Sequence, residues 1–422
     1  MKKILVFLLV NLYFVSNLNA QNTGIVGNSN WFSNWTNFKP KTTNYNEPTN
    51  ILNRVIDVNT TLYKKNIYLI AGIVYLTKNA TLTIEPGTVI RGDFDTCGTL
   101  VVTKGSKIIA KGLETDPIVF TSNRQVSERA AGDWGGIIIL GEAPTNKFGG
   151  VGRLDFNLNE ILNTYGGTKD DDDSGILKYV RIEFSGRKLN SLKELNGLSL
   201  AGVGKKTIID FLQVSFSNDD SFEFYGGNVV VNNLISFRAT DDDFDFTQGI
   251  QCSINNSIAI RYPFTSDVSR SRCLEIDSYD KKENFDISRK QTKIVAKNMT
   301  LLNYEENDQG LVKEAIFIKN DSSLEIKNSI ISGFSQSLIL EDEILNDNLN
   351  LEKIKFENNI FHNCKEFMKT ITLGNEKQLL DWYSNPIFNN LFSTKNNSDV
   401  FFEFDIKKVP DFRLKSEGLT NR

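Results

Sequence analysis

Asn218-Asp219-Asp220-Ser221-Phe222-Glu223-Phe224 returns twenty-two residues later as Thr240-Asp241-Asp242-Asp243-Phe244-Asp245-Phe246. In each copy an acidic turn leads into a segment in which two phenylalanines flank one acidic residue, the period-2 signature of a strand with one buried face. Leu198-Ser199-Leu200 precedes the series and Leu274-Glu275-Ile276 continues it. Further upstream, Thr81-Leu82-Thr83-Ile84-Glu85-Pro86-Gly87-Thr88-Val89-Ile90 is echoed from Thr99 to Ile109, both reading strand, glycine turn, strand.

A second element recurs, an asparagine leading into a short apolar run: Asn233-Leu234-Ile235, Asn256-Ser257-Ile258, Asn298-Met299-Thr300, Asn328-Ser329-Ile330, Asn359-Ile360-Phe361 and Asn390-Leu391-Phe392. The intervals are about 23, 42, 30, 31 and 31 residues. A fixed local pattern at unequal intervals describes a constant coil cross-section carrying loops of different length, the arithmetic of an all-β parallel β-helix. The charged segment Ser278 to Lys293 is expected to be the longest excursion. Stacking coils about 4.8 Å apart pairs each strand with its copies above and below, and buries an apolar face that no coil can bury alone. The asparagines suit the corners, since they tolerate left-handed backbone angles and their amides can bond from coil to coil.

Composition sets the outer limits. The chain has 422 residues, 40% hydrophobic and 24% charged, with eight prolines, too apolar for disorder and too polar for a multispan membrane protein. Its 48 basic and 52 acidic residues leave a net charge of −4, which argues against a nucleic-acid partner held by phosphate neutralisation. Lys2 and Lys3, the apolar stretch Ile4 to Val15 and the small residue Ala20 read as a secretory signal cleaved after Ala20, too short for a membrane span. Export is expected, to the extracellular space or a periplasm. Cys97, Cys252, Cys273 and Cys364 would permit two disulfides there, and with His362 as the only histidine a zinc centre is not expected.

The organisation expected is a leader at 1–20, an aromatic segment and cap at 21–60, the β-helix at 61–400 and a polar tail at 401–422. The patch from Trp31 to Pro40 would cover the open, strand-edged end of the first coil, or alternatively offer a platform for a sugar ring. Trp134, just before the strand from Ile137 to Leu140, is expected to pack where the chain re-enters a coil. Asp170 to Asp173 read as a solvated turn unless the fold brings them beside Asp219 or Asp241.

The stretch Ala80 to Ser122, with Gly132-Asp133-Trp134-Gly135-Gly136-Ile137, Thr164-Tyr165-Gly166-Gly167, Lys178 to Phe184 and the two acidic repeats, resembles a family of secreted bacterial right-handed parallel β-helix proteins of the pectin-lyase-like superfamily. The resemblance spans roughly residues 65 to 280. It implies a right-handed winding and an exported or surface location, and no particular activity.

Alternation sends Glu223, Asp245 and Glu275 outward from neighbouring coils as a column. Two like charges about 4.8 Å apart repel by roughly 3 kcal/mol at an effective dielectric of 20, so the column needs a cation, a shared proton or basic neighbours. Two answers remain open: calcium held by Glu223, Asp245, Glu275 and Asp243 with help from the turn aspartates, or charge pairing by Arg238 and Arg261. The functional expectation is a non-catalytic module binding an extracellular polysaccharide or a surface partner. The alternative is a carbohydrate-active enzyme on the same face: a glycosidase with Asp219 or Asp220 as acid and Asp241 or Asp242 as base, or a lyase with Arg238 or Arg261 as base.

Overall fold

The computed structural model describes residues 22–190, 193–267, 270–305, 310–341, 352–370 and 385–415. The leader expected at 1–20 and the last residues of the tail lie outside them. The described chain is a right-handed parallel β-helix with three stacked faces, all its long-range strand pairing parallel.

One face runs from Thr60–Leu62 through Thr81–Ile84 and Lys107–Lys111 to Ile354–Glu357. A second runs from Asn50–Ile51 through Ile67–Ile70 to Leu391–Ser393. The third begins at Val55–Ile56 and continues through Leu198–Val203, the start of Phe222–Phe237, Phe244–Thr247 and Leu274–Ile276. Winding therefore starts at Asn50, ahead of the expected residue 61, because the short extended pieces at 50–62 already pair with the following coil.

Alternation does the packing. In Thr81–Ile84 the pattern is half-buried and buried in turn, with Leu82 and Ile84 inward. Inward residues from all three faces join one core from Leu52 to Phe367. Phe222 stacks on Phe244 with centroids 5.2 Å apart, and Phe224 on Phe246 at 4.8 Å, so each rung adds ring contact to main-chain pairing.

The corner between the first two faces is left-handed at Asn233, Asn256, Asn298 and Asn328. In the last two copies the left-handed residues are Asn358 and Asn389, one position before the Asn359 and Asn390 of the sequence alignment. Asn359 and Asn390 instead accept backbone N–H groups of the coil below, Ser329 and Asn359 respectively. The amide of Asn256 donates to Asn233 at 2.7 Å and that of Asn389 to Asn358 at 2.9 Å. In the two coils before Asn233 this corner holds Tyr179 and Phe211, also left-handed, with rings stacked at 4.6 Å.

Those rings meet the N-terminal segment, which corrects its expected role. Residues 22–49 do not cover the end of the winding; they run along its side. Trp35 packs edge-on to Tyr179 and Phe211, while Ile25 N–H reaches Thr300 and Val26 N–H reaches Asn256. The physical reason is that the second face is apolar outside as well as inside, with Ile235, Phe237, Ile258, Ile260 and Leu302 needing cover. The expected polar tail completes that cover. Phe401–Glu403 and Asp411–Leu414 form an antiparallel hairpin whose Phe401 and Phe412 join the same cluster. The two ends also touch, Arg413 Nη1 donating to Gly27 O at 2.8 Å and Asn30 Nδ2 to Pro410 O at 2.7 Å.

The longest excursion is not Ser278 to Lys293 but 141–174, between Gly136–Leu140 and Gly175–Glu183. It lies over the outer side of the third face, where Leu154, Leu158 and Tyr165 cover Ile138, Leu140, Ala201 and Tyr225. Trp134 is wholly buried, its indole N–H donating to Glu183 O at 2.8 Å and its ring parallel to Phe120. All four cysteines are free thiols, Cys252 and Cys273 within the core. Among the described residues no helix is long and apolar enough to cross a membrane.

Candidate functional site

The third face is bare downstream of the 141–174 excursion, and there it carries a cleft of about 720 Å³. The parallel register builds its floor. Ser199 lies opposite Glu223, Glu223 opposite Asp245, Asp245 opposite Glu275 and Glu275 opposite Phe317. The turns entering these strands add Asp219, Asp220, Asp241 and Asp242. Lys147, Arg153 and Phe156 of the excursion form one wall.

The column of Glu223, Asp245 and Glu275 thus exists, but its members differ in surroundings. Glu275 is held between Arg272 Nη1, at 2.6 Å, and Lys319 Nζ. Burial alone would push its carboxyl up, yet those two cations hold it below the usual carboxylate range. Lys319 is also 3.6 Å from Asp277, and Arg272 Nε is 3.6 Å from Glu314. The basic groups of the floor are therefore already engaged.

Glu223 is held by neutral groups. Its Oε2 accepts from the Asn196 amide and the Tyr225 hydroxyl. Burial pushes it up to about 7, those hydrogen bonds opposing. Asp219, Asp220, Asp242 and Asp245 are all raised well above the ordinary carboxylate range, first by burial and then by neighbouring carboxylates, chiefly Asp241 on Asp219, Asp219 on Asp220, Glu275 on Asp242 and Glu223 on Asp245. Asp219, Asp220 and Asp241 each offer an oxygen within 4.8 Å of the other two, as do Asp220, Glu223 and Asp245. Asp245 Oδ1 is closed off from solvent and has no hydrogen-bond partner. Such an arrangement lacks positive charge, and a hard cation with oxygen ligands is chemically suited to it.

Three expected site residues are elsewhere. Asp243 is not in the cleft: it turns inward, where it is fully buried and pairs with Arg261 at 3.0 Å. Asp243 lies in the turn just before Phe244–Thr247, outside the strand whose alternation would send the neighbour of inward Phe244 outward. Arg261 is equally buried and spent on that pair, so it neither neutralises the column nor reaches a substrate. Arg238 occupies the matching corner one coil earlier but has a left-handed backbone, and its guanidinium lies 3.6 Å over the Tyr262 ring on the outer side. Asp170 to Asp173 are also outside the cleft, with Asp170, Asp171 and Asp173 paired to Lys205, Lys206 and Lys107.

Arg272 and Lys319 escaped the reading of the sequence. Arg272 lies three residues before Glu275, a spacing that in a strand entry brings the two together. Lys319 is 44 residues away and becomes a neighbour only through the register of Leu274–Ile276 with Glu314–Ile318.

A family model described as a pectate-lyase like beta helix domain matches residues 54–399. Comparison with curated proteins and with solved structures gives no match.

Proposed function

The chain belongs to the pectate-lyase-like β-helix family, and from that premise we propose that it is an exported module that binds an extracellular polysaccharide in the third-face cleft, with calcium held beside it. The observation that carries this reading is the compact group Asp219, Asp220 and Asp241, within 4.8 Å of one another, while Arg272 and Lys319 are committed to other carboxylates. The same three residues would be the calcium ligands. Calcium takes carboxylate oxygens in flexible number, and its charge would relieve repulsion of roughly 3 kcal/mol per close pair. Glu275 and Asp243, expected among the ligands, are satisfied by Arg272, Lys319 and Arg261.

Binding is favoured over cleavage for two reasons. Asp219, Asp220 and Asp241 offer oxygens within 4.8 Å of one another, closer than the roughly 6.5–9.5 Å that separates the acid and base of an inverting glycosidase. Neither Arg238 nor Arg261, the lyase bases considered from the sequence, lines the cleft. The test is retention of the purified protein on immobilised neutral, anionic and cationic polysaccharides with calcium, with released reducing ends and unsaturated products assayed in parallel. Retention without product is expected. Product formation, or no retention on any polymer, overturns the proposal.

A further inference from the structure

The first coil of the winding has an open edge. Its strands Asn50–Ile51, Val55–Ile56 and Thr60–Leu62 pair with the following coil, and among the described residues no strand lies against their other side. Arg54 O and Ile56 O accept the N–H groups of Tyr75 and Thr77, so the alternation of the ladder points the N–H and C=O of Val55 the opposite way, out of the end. Leu52 N–H and Leu62 O are likewise spent on Leu69 and Glu85, which leaves Ile51 and Thr61 facing outward on the other two sides. The same coil exposes large apolar side chains, Ile51 at 69%, Val55 at 52% and Val58 at 67%. No proline or bulge interrupts the three strands, and residues 22–49 run along the side of the winding instead of over its end, so the usual protections of a sheet edge are missing.

The shape of this edge indicates what covers it. An extended peptide adds to one strand, whereas three edges arranged around one core are extended together only by another coil. A second copy of this chain offers the identical coil. A two-fold axis through Val55 sets the third-face strands of the two copies antiparallel, Val55 opposite Val55, each with its outward N–H and C=O toward the other. The same rotation exchanges the remaining sides, laying Asn50–Ile51 of one copy along Thr60–Leu62 of the second. Arg54 and Asp57 bracket the axis strand, so each guanidinium comes beside the carboxylate of the other copy.

We infer that the chain forms a head-to-head dimer through its first coil, the edges of Asn50–Ile51, Val55–Ile56 and Thr60–Leu62 pairing with the same coil of a second copy. Two-fold closure ends the stacking, where head-to-tail addition would run on as a filament. Because the axis passes through the third face, the clefts of both copies open on one side of the joined rod. The dimer stands whether or not the cleft binds glycan.

Sedimentation of the mature chain over a concentration series reaching about 100 µM tests it, with a dimer as the expected species. Val55→Pro removes the outward N–H on both sides of the axis and spares the bonds of Arg54 and Ile56 to the next coil. It is expected to weaken the dimer at least about tenfold and to leave the melting temperature of the dilute monomer unchanged. Val55→Cys is expected to give a covalent dimer on mild oxidation, since Cα atoms of such a pair stand about 5.5 Å apart. The parent, with its own four thiols, and Lys65→Cys, on the same coil away from the axis, are expected to stay uncrosslinked. A monomer throughout the series, a dimer indifferent to Val55→Pro, failure of Val55→Cys to cross-link, or equal cross-linking of Lys65→Cys overturns the proposal.

Discussion

Asp243 and Arg261 form an ion pair sealed inside the winding, Oδ2 accepting from Nη1 at 3.0 Å with neither side chain exposed. Ser236 donates to the same carboxylate and Arg272 O accepts from the same guanidinium. The pair divides the run Asp241-Asp242-Asp243, sending two carboxylates to the cleft and one to the interior. Asp243→Asn should leave Arg261 as an uncompensated buried charge and lower unfolding free energy in urea by about 3–5 kcal/mol. The double change Asp243→Leu with Arg261→Met should recover most of that loss. A single variant as stable as the parent would show that the pair is not what holds this turn.

Calcium should raise the melting temperature and chelator should lower it, since a ligand at about 100 times its Kd adds about 2.7 kcal/mol to the folded state. Asp219→Asn should remove most of the calcium response while the chelated protein melts at the same or a higher temperature, because one repelling charge has gone. An identical transition with and without calcium would dismiss the ion.

The acidity of the cleft predicts the sign of the pH response. Burial pushes Glu223 up to about 7 from 4.5, and Asp242 and Asp245 also rise. Between these limits the folded chain binds more protons than the unfolded one, so the contribution to stability is complete below about pH 4.5 and is lost as pH climbs toward 7. In chelator the melting temperature should therefore fall by several degrees from about pH 5 to about pH 7.5. Calcium, which prefers the ionised carboxylates, should flatten that slope. A melting temperature that rises over this interval in chelator would contradict the assignment.

Gly92 ends its strand directly under the Trp134 indole, and a Cβ built there would lie 2.5 Å from the ring. Gly92→Ala should displace the ring, strain its hydrogen bond to Glu183 O and cost about 1–3 kcal/mol in chemical denaturation. A neutral effect would mean that Trp134 is less firmly seated than its contacts with Phe120 and Glu183 indicate.

The winding was legible because its rule is local. Phe222-Glu223-Phe224 and Phe244-Asp245-Phe246 show alternation and repeat within a few residues, and the register Glu223 to Asp245 to Glu275 follows from aligning them. What escaped depended on contacts that no short pattern encodes. Trp31 to Pro40 signalled an aromatic surface in need of a partner, but the partner is the outer side of a central face, with Tyr179 and Phe211 at an asparagine corner. The cleft's neutralising groups went unseen for the same reason, Lys319 being a distant residue that the register brings beside Glu275. At Asn358 and Asn359 two adjacent asparagines made the corner ambiguous by one position, and only backbone geometry separates them.

The contact of Gly27 with Arg413 and of Asn30 with Pro410 has a temporal meaning. Coils can stack one on the next as the chain emerges, but Gly27 and Asn30 gain these neighbours only once Pro410 and Arg413 have been made. The seam between these two segments thus reports completion of the winding that separates them: a chain ending before Pro410 leaves the Asn30 amide and the Gly27 carbonyl without these partners.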